Sequence, residues 1–299
     1  MDGSNMLFEL ELALPNKELN EQALRLIGFD KRYDRIRRLL RLLVDSAGLE
    51  QWAKKHFGTR LPLLDAMRDR YPLVIFEGDV GTGKTATAEA IANSLSQEMR
   101  KDAMLFKLST RVRGSGNVGE MSTLINQAFE VITKEAGKSR ASFLVIDEAD
   151  SLAANRNASQ SHHEDKVAVN TLIQKIDDIR RLNGRVLVLL CTNRISALDP
   201  AILRRAAHIE KFLRPDVNER KELLIKDLSG VGISSSDIDE LVRLTGPNGS
   251  RKLGYTFSDI RTRVLPDAIA RAFPDRKLEQ ADIVAAIRDT SPSPAIVEE

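Results

Sequence analysis

The sequence predicts an α/β fold with a parallel five-stranded sheet flanked by helices, followed by a small all-α domain. Short apolar runs rich in β-branched residues alternate with helical patterns between residues 61 and 214. This alternation is typical of βαβ units and a parallel sheet. From residue 215 to residue 290 only helical patterns remain, which indicates a separate helical domain. The predicted strands are Leu73–Phe76, Met104–Leu108, Phe143–Ile146, Val186–Cys191 and His208–Leu213.

The helical domain is predicted to begin after the stretch Arg214-Pro215-Asp216. Ser235 and Ser258 are expected to cap two of its helices, because a serine hydroxyl accepts a hydrogen bond from a free N–H group of the first turn. Residues 291–299, which start with Ser-Pro-Ser-Pro, are predicted to be a disordered tail. The four predicted helices are Val217–Leu228, Ser234–Thr245, Thr256–Phe273 and Glu279–Asp289.

Residues 1–60 are predicted to be an N-terminal segment with helices that lead into the α/β domain at 61–214. The first 18 residues show no clear pattern. Apolar residues then recur at helical spacing from Asn20 to about His56. Gly28 interrupts this stretch and is expected to separate two helical elements.

Composition argues for a soluble globular protein and against several other classes. The 299 residues carry a formal net charge of +2, too small to favour nucleic acid as a partner. The single cysteine, Cys191, excludes an intramolecular disulfide framework and favours a reducing compartment. We find no apolar stretch long enough to span a bilayer and no signal peptide, so we expect no membrane contact and a cytoplasmic location.

Residues Gly78–Thr85 match the phosphate-binding pattern G-x-x-x-x-G-K-[ST] between an apolar strand and a helix-forming run. The glycines allow backbone N–H groups to surround a phosphate at a helix N-terminus. We expect Lys84 to contact the β- and γ-phosphates of ATP and Thr85 to bind Mg²⁺. A glycine-rich turn without a ligand is the alternative interpretation. The predicted nucleotide-binding residues are Gly78, Val80, Gly81, Thr82, Gly83, Lys84, Thr85 and Ala86.

Two acidic residues, Asp147 and Glu148, follow the predicted strand Phe143–Ile146. Ligands of open α/β sheets bind at the carboxyl ends of the strands. Asp147 can therefore support Mg²⁺, and Glu148 can polarise the water that attacks the γ-phosphate. Acidic residues also follow strands as turn formers, but the phosphate-binding pattern upstream favours the catalytic interpretation.

The phosphate-binding pattern and Asp147-Glu148-Ala149-Asp150 together resemble AAA+ ATPases, and the resemblance covers roughly Ile27–Ile287. It implies the P-loop AAA+ fold and hydrolysis of ATP with Mg²⁺. Asn193 matches a sensor residue that orients the attacking water, although by itself it reads as a turn residue. Leu198–Arg205 is similar to the segment that carries the arginine finger, which implies that Arg205, or second Arg204, acts on the ATP of a neighbouring subunit.

Further site residues are implied by the same resemblance. Gly254–Arg261 is similar to the stretch that leads into the sensor 2 arginine, here Arg261 or Arg263. Gly28 falls in a segment similar to the one whose backbone contacts adenine. The chain departs from the family at His208, where many AAA+ proteins carry a second arginine.

Asp147–Ala158 and Val167–Asp177 resemble the pachytene-checkpoint class of AAA+ proteins, which remodel HORMA-domain proteins. The short N-terminal region is similar to the bacterial branch, whose members disassemble an activated HORMA partner and keep an antiphage nucleotidyltransferase quiet. This resemblance implies a hexameric ring that pulls a peptide through its pore. The pore loop would hold Asn117, Val118 and Gly119 without the aromatic residue that is common there, and Ser159–Asp165 would be a second pore-facing loop.

Three functions therefore compete. The leading hypothesis is an ATP-driven remodeller of a HORMA-domain protein. The alternative is an ATP-dependent switch or loader that acts on DNA, which would need a basic surface. The dense basic run between Arg32 and Arg41 is interrupted by Asp34 and is interpreted as a solvated helix face or a subunit contact. An inactive scaffold is disfavoured by the intact phosphate-binding and acidic motifs.

Overall fold

The computed structural model describes residues 7–59, 61–68, 70–109, 120–137, 140–154, 163–249 and 251–295. The described residues form two compact units. The first unit takes residues from 1–25, 29–77 and 85–211, and the second takes residues from 26–28, 78–84 and 212–299. Among the described helices, none combines the length and the apolar character needed to cross a membrane.

The first unit is built on a six-stranded sheet with the strand order β1-β3-β4-β5-β2-β6. The neighbours β3 and β4, β4 and β5, and β5 and β2 all pair in parallel. Every residue of β4 and β5 is buried, as expected for central strands covered on both faces. The strands are β1 Phe8–Leu14, β2 Leu73–Gly78, β3 Ala103–Leu108, β4 Ala141–Ile146, β5 Val186–Thr192 and β6 His208–Phe212.

The prediction of five strands in a purely parallel sheet is wrong in one respect. The five predicted strands are present, each with ends within two residues of the prediction. The sixth strand, Phe8–Leu14, pairs antiparallel with β3 at the edge of the sheet. Its sequence alternates apolar residues with Glu9, Glu11 and Ala13, which are exposed, and this period of two is the pattern of a half-buried strand.

Helices surround this sheet. The helices α6 and α7 bury one apolar face each against it, through residues such as Ile125, Phe129 and Leu172. Gly28, with a positive φ of 68°, separates α1 from α2, as predicted. The helices of the first unit are α1 Lys17–Arg25, α2 Phe29–Val44, α3 Ser46–Phe57, α4 Leu63–Arg68, α5 Lys84–Met99, α6 Glu120–Ala136, α7 His163–Arg180 and α8 Pro200–Leu203.

The side chain of Asn93 fastens the N-terminal region to α5, the helix that starts at Lys84. Its amide accepts a hydrogen bond from the Asn16 N–H group (2.7 Å) and donates to the side chain of Asn20 (2.7 Å). Asn93 is buried, so these bonds replace those that its amide would otherwise make with water. The N-terminal region is therefore attached to the helix that begins at Lys84.

The described residues of the second unit form four α-helices and one π-helical turn. Its core gathers apolar side chains from all of them, with Tyr255 fully buried. Asp216 caps α9 in a reciprocal capping box with Glu219. The elements are α9 Val217–Asp227, α10 Ser235–Leu244, the π-helical turn Asp259–Val264, α11 Leu265–Ala272 and α12 Gln280–Asp289.

Both predicted serine caps are wrong by one or two residues. The hydroxyl of Ser234, not of Ser235, accepts the hydrogen bond from the Asp237 N–H group at the start of α10. Ser258 already has helical dihedral angles and makes no capping bond. The Asp259 N–H group instead donates to the hydroxyl of Thr256, because a capping side chain must precede the N–H group it serves by two or three residues.

The first residues of the predicted disordered tail have fixed partners. Ser293 donates two hydrogen bonds to the carboxylate of Asp259, from its N–H group and from its hydroxyl. The carbonyl of Ser291 accepts a hydrogen bond from Arg263. The prediction of disorder is therefore wrong for these residues, because a Ser-Pro sequence without helical or strand pattern can still be held by side-chain hydrogen bonds.

Candidate functional site

The residues between β2 and α5, Gly78–Lys84, form a turn that we call the phosphate loop. Gly78, Gly81 and Gly83 have φ values of 147°, 77° and 89°, which side chains rarely allow. A Cβ atom on Gly78 would lie 2.0 Å from the carbonyl oxygen of Phe212, so glycine is required there by space as well. Within the loop, the hydroxyl of Thr82 donates to the carbonyl of Asp79 (2.8 Å). Val80 is half-exposed on the outside of the turn.

The side chain of Lys84 folds back across the phosphate loop. Its Nζ donates to the carbonyls of Gly78 (2.8 Å) and Asp79 (2.9 Å), and the residue is only 6% exposed. The ammonium group is thus held at the loop and not extended into solvent. A buried cation beside a glycine turn that opens a helix is the chemistry that binds phosphate.

Thr85 and Asp147 are brought together, as the sequence predicted. The Thr85 hydroxyl donates to the Asp147 carboxylate at 2.7 Å, although 62 residues separate them in the chain. The second carboxylate oxygen of Asp147 accepts a hydrogen bond from the Glu148 N–H group (2.9 Å). A hydroxyl and a carboxylate are the hard oxygen ligands that Mg²⁺ prefers, so these two side chains fit that metal.

Glu148 has an unusual backbone conformation. Its φ of 46° and ψ of 44° lie in the left-handed region, which residues other than glycine rarely adopt. The conformation places Glu148 on an exposed turn directly after the buried strand β4, while the Ser151 hydroxyl donates to its carbonyl (2.7 Å). Such backbone strain is common at functional sites, and it is in keeping with the role predicted for Glu148.

Asp150 and Thr192 lie near this turn, and neither was predicted from the sequence to be a site residue. The hydroxyl of Thr192, the last residue of β5, donates to the carboxylate of Asp150 (3.1 Å), and the Arg194 N–H group donates to the same hydroxyl (3.0 Å). These bonds connect the turn after β4 to the end of β5, where Asn193 follows. The signal available in the sequence was a polar residue at the carboxyl end of a second parallel strand.

The two candidate arginine fingers differ in their surroundings. Arg205 makes two hydrogen bonds to Asp177 (2.6 and 2.9 Å) and a third to the carbonyl of Ala201. Its guanidinium also lies over the ring of Tyr71, 5.3 Å from the centroid. Arg204, by contrast, is exposed. Arg205 is thus held by contacts within its own chain.

His208, at the position where the resemblance implies a second arginine, lies with its Nε2 3.0 Å from the carboxylate of Glu210. Burial lowers the pKa of the His208 imidazole below its usual value, and the nearby charge of Arg35 lowers that pKa further. His208 therefore carries less positive charge at neutral pH than an arginine at the same position would.

The two candidate arginines of the second unit also form hydrogen bonds. Arg261 makes two hydrogen bonds to Asp227 (2.6 and 2.9 Å). Arg263 donates to Asp259 (3.2 Å) and to the carbonyl of Ser291 (2.9 Å). Both arginines lie in the π-helical turn, and such turns frequently occur at functional sites.

The remaining candidates have simple positions or fall outside the described residues. A Cβ atom on Gly28 would lie 3.2 Å from the Glu219 carboxylate, so this glycine has little room around it. The carbonyl of Ala86, in the first turn of α5, accepts a hydrogen bond from Gln22 (3.2 Å). The pore-loop residues Asn117, Val118 and Gly119, and residues 159–162 of the second loop, lie outside the described residues.

This chain is similar to several known proteins. The family model for the ATPase family associated with various cellular activities (AAA) matches residues 74–214, which contain the phosphate loop and both acidic residues. CD-NTase-associated protein 6 of Escherichia coli strain KTE188 is 50% identical over 291 residues, covering 97% of both chains.

Solved structures give the same result. A chain from the structure of the E. coli MS115-1 HORMA:CdnC:Trip13 complex is similar with a TM-score of 0.90 and 40% identity, covering 99% of both chains. The structure of Rhizobiales Trip13 is similar with a TM-score of 0.73 and 33% identity, covering 96% of this chain and all of the other.

Proposed function

The chain belongs to the AAA ATPase family, and we propose that it uses Mg²⁺-dependent ATP hydrolysis to remodel a HORMA-domain protein in an antiphage nucleotidyltransferase system. Two findings support this proposal. Full-length similarity extends to a CD-NTase-associated protein and to a chain solved in complex with HORMA and CdnC proteins. The hydrogen bond between Thr85 and Asp147, next to Glu148, carries the hydrolytic part.

Each residue of the site has a chemical task in this proposal. The N–H groups of the phosphate loop and the ammonium of Lys84 bind the phosphates of ATP. Thr85 and Asp147 would hold Mg²⁺, whose positive charge would then offset negative charge on the phosphate oxygens. Glu148 directly follows Asp147 after β4, and its carboxylate is proposed to take a proton from the attacking water. Asn193 orients that water.

We further propose that hydrolysis requires a ring of subunits, hexameric as the resemblance implies. An arginine from the neighbouring subunit stabilises the negative charge that develops on the γ-phosphate. Arg204 is exposed and ready for such a contact, whereas Arg205 would have to exchange its bonds to Asp177 for the phosphate. Arg261 would act as sensor 2 after a similar exchange with Asp227.

The DNA-acting alternative receives no support from the basic run of α2. Arg32 and Arg35 form ion pairs with the buried carboxylate of Glu210. Arg37 pairs with Asp34, and Arg41 pairs with Asp45 and Glu98. A surface that binds phosphate backbones needs basic side chains that are available to phosphates, and most of this run is already neutralised within the chain.

A substrate trap tests the proposed partner. The Glu148→Gln variant should bind ATP, stop before hydrolysis and retain the HORMA protein in a pull-down with Mg²⁺ and ATP. The Lys84→Ala variant is the matched control, because it lacks the phosphate contact and should retain none. Mass spectrometry of the retained proteins identifies the partner. Equal recovery of HORMA protein with both variants, or retention of none with either, would contradict the proposal.

A further inference from the structure

The side chain of Arg214, which lies between β6 and α9, joins three separate parts of the second unit. Its Nε donates to the carboxylate of Asp79 in the phosphate loop at 2.6 Å. Its two terminal nitrogens donate to the carbonyls of Gly254 and Ser293, each at 2.8 Å. Because the guanidinium is planar and rigid, its three bonds fix the relative positions of these three segments.

Residues 290–293, which we call the C-terminal strap, are themselves well anchored. Ser293 donates to the two carboxylate oxygens of Asp259 at 3.1 and 2.6 Å. Asp259 is buried and also accepts a hydrogen bond from the Thr256 N–H group (2.9 Å). Burial alone would raise the pKa of the Asp259 carboxyl, but the hydrogen bonds from Ser293 and Thr256 outweigh it and lower the pKa below its usual value. The carboxylate therefore stays charged and keeps the strap in place.

The same segment of the second unit also contacts the other side of the phosphate loop. The carbonyl of Gly81 accepts a hydrogen bond from the Ser258 N–H group at 3.1 Å. A Cβ atom on Gly81 would lie 2.7 Å from both the Cβ of Ser258 and the hydroxyl of Thr256. The phosphate loop is thus supported at Asp79 through Arg214 and at Gly81 through the residues next to Asp259.

These contacts bear on ligand binding because a loop that binds phosphate through its N–H groups must present them together. A loop already held in the binding conformation loses less conformational entropy when the ligand arrives. Arg214 and Asp79 are both largely buried, with side chains 10% and 21% exposed, so water weakens their attraction only in part. A charge-assisted bond in such surroundings is among the stronger hydrogen bonds.

We propose that Arg214 and the C-terminal strap are positioning elements of the nucleotide site, so that residues 290–293 help to set the affinity for a nucleoside triphosphate. Arg214 holds the phosphate loop through Asp79, and the strap holds Arg214 through the carbonyl of Ser293. Neither touches the reacting atoms. The inference rests on the proposed function only in assuming that the phosphate loop binds ATP.

The test compares nucleotide affinity with fold stability in the full-length protein. Mant-ATP with Mg²⁺ is titrated by fluorescence into wild type, Arg214→Ala, Arg214→Lys and a chain ended after Thr290. A chain ended after Ala295 is the matched control, because it keeps the strap. Urea unfolding of each variant is measured in parallel without nucleotide.

We expect Arg214→Ala and the chain ended after Thr290 to bind mant-ATP about tenfold more weakly, which corresponds to about 1.4 kcal/mol. Arg214→Lys should recover part of the loss because it restores the charge without the planar geometry. The control should stay within about twofold of wild type. The loss in affinity should be found in variants whose urea unfolding curves show that they are fully folded.

Two results would overturn the inference. One is wild-type affinity in a folded Arg214→Ala or strap-deleted protein. The second result applies if either of these variants does not fold. Asp79→Asn and Arg214→Lys are then combined in a double-mutant cycle, and additive losses in affinity would overturn the inference. Absence of binding by the wild-type protein would instead refute the proposed ATP binding, so the two failures are distinguishable.

Discussion

Arg204 and Arg205 show how strongly the role of a residue depends on its immediate neighbours. The sequence offered both as fingers, with Arg205 preferred by position. The structure gives Arg205 three hydrogen bonds and a cation–π contact inside its own subunit, and it leaves Arg204 exposed. Arg205 therefore has a structural task in addition to any task at the phosphate of a neighbour.

This difference leads to a prediction about stability. Arg205→Ala should lower the free energy of unfolding by about 1–3 kcal/mol, because it removes the bonds to Asp177 and Ala201 and the contact with Tyr71. Arg204→Ala should change it by less than about 0.5 kcal/mol, as is usual for an exposed residue. Urea unfolding of both variants without nucleotide measures the difference. Equal values for the two variants would show that the Asp177 bonds contribute nothing.

At this scale the sequence was informative where a short motif carries the chemistry. Gly78–Thr85 and Asp147-Glu148 could be placed together because a motif and the topology of parallel strands agree. The bond between Arg214 and Asp79 could not be found in this way. Its partners lie 135 residues apart and belong to no common pattern, and only the folded second unit brings them together.

At the scale of elements, strand and helix existence was more predictable than their ends. The edge strand Phe8–Leu14 was missed although its residues alternate in the period of a strand, because it is a single antiparallel addition to a sheet recognised by its parallel units. The cap of α10 was missed by one residue, since Ser234, Ser235 and Ser236 are chemically equivalent in the sequence.

The three serines allow a sharp test of the cap. Ser234→Ala should destabilise the protein by about 1 kcal/mol, because its hydroxyl accepts from the Asp237 N–H group. Ser235→Ala is the matched control and should be close to neutral, since alanine has the higher helix propensity inside the first turn. Chemical unfolding of the two variants measures the two losses of stability. A larger loss of stability for Ser235→Ala would show that Ser235 caps the helix, as the sequence predicted.

At the scale of the whole molecule, ATP hydrolysis is proposed at one site and remodelling of a partner protein at another. Hydrolysis is proposed for Glu148, Thr85 and Asp147, and the HORMA partner is proposed from full-length similarity to the relatives. The sequence predicted this combination because the motifs occur in the order of the family. The proposed assembly of several copies could not be predicted from one chain in physical terms, since it depends on contacts between copies.

The most direct measurement is the rate of ATP hydrolysis per subunit by the purified Glu148→Gln protein, compared with wild type at equal Mg²⁺ and ATP and at protein concentrations that saturate assembly. We expect wild type to hydrolyse ATP. The variant should still bind ATP but hydrolyse it about 10²–10⁴-fold more slowly, which is the usual contribution of a positioned general base. Hydrolysis by the variant at the wild-type rate, or no hydrolysis by wild type, would contradict this expectation.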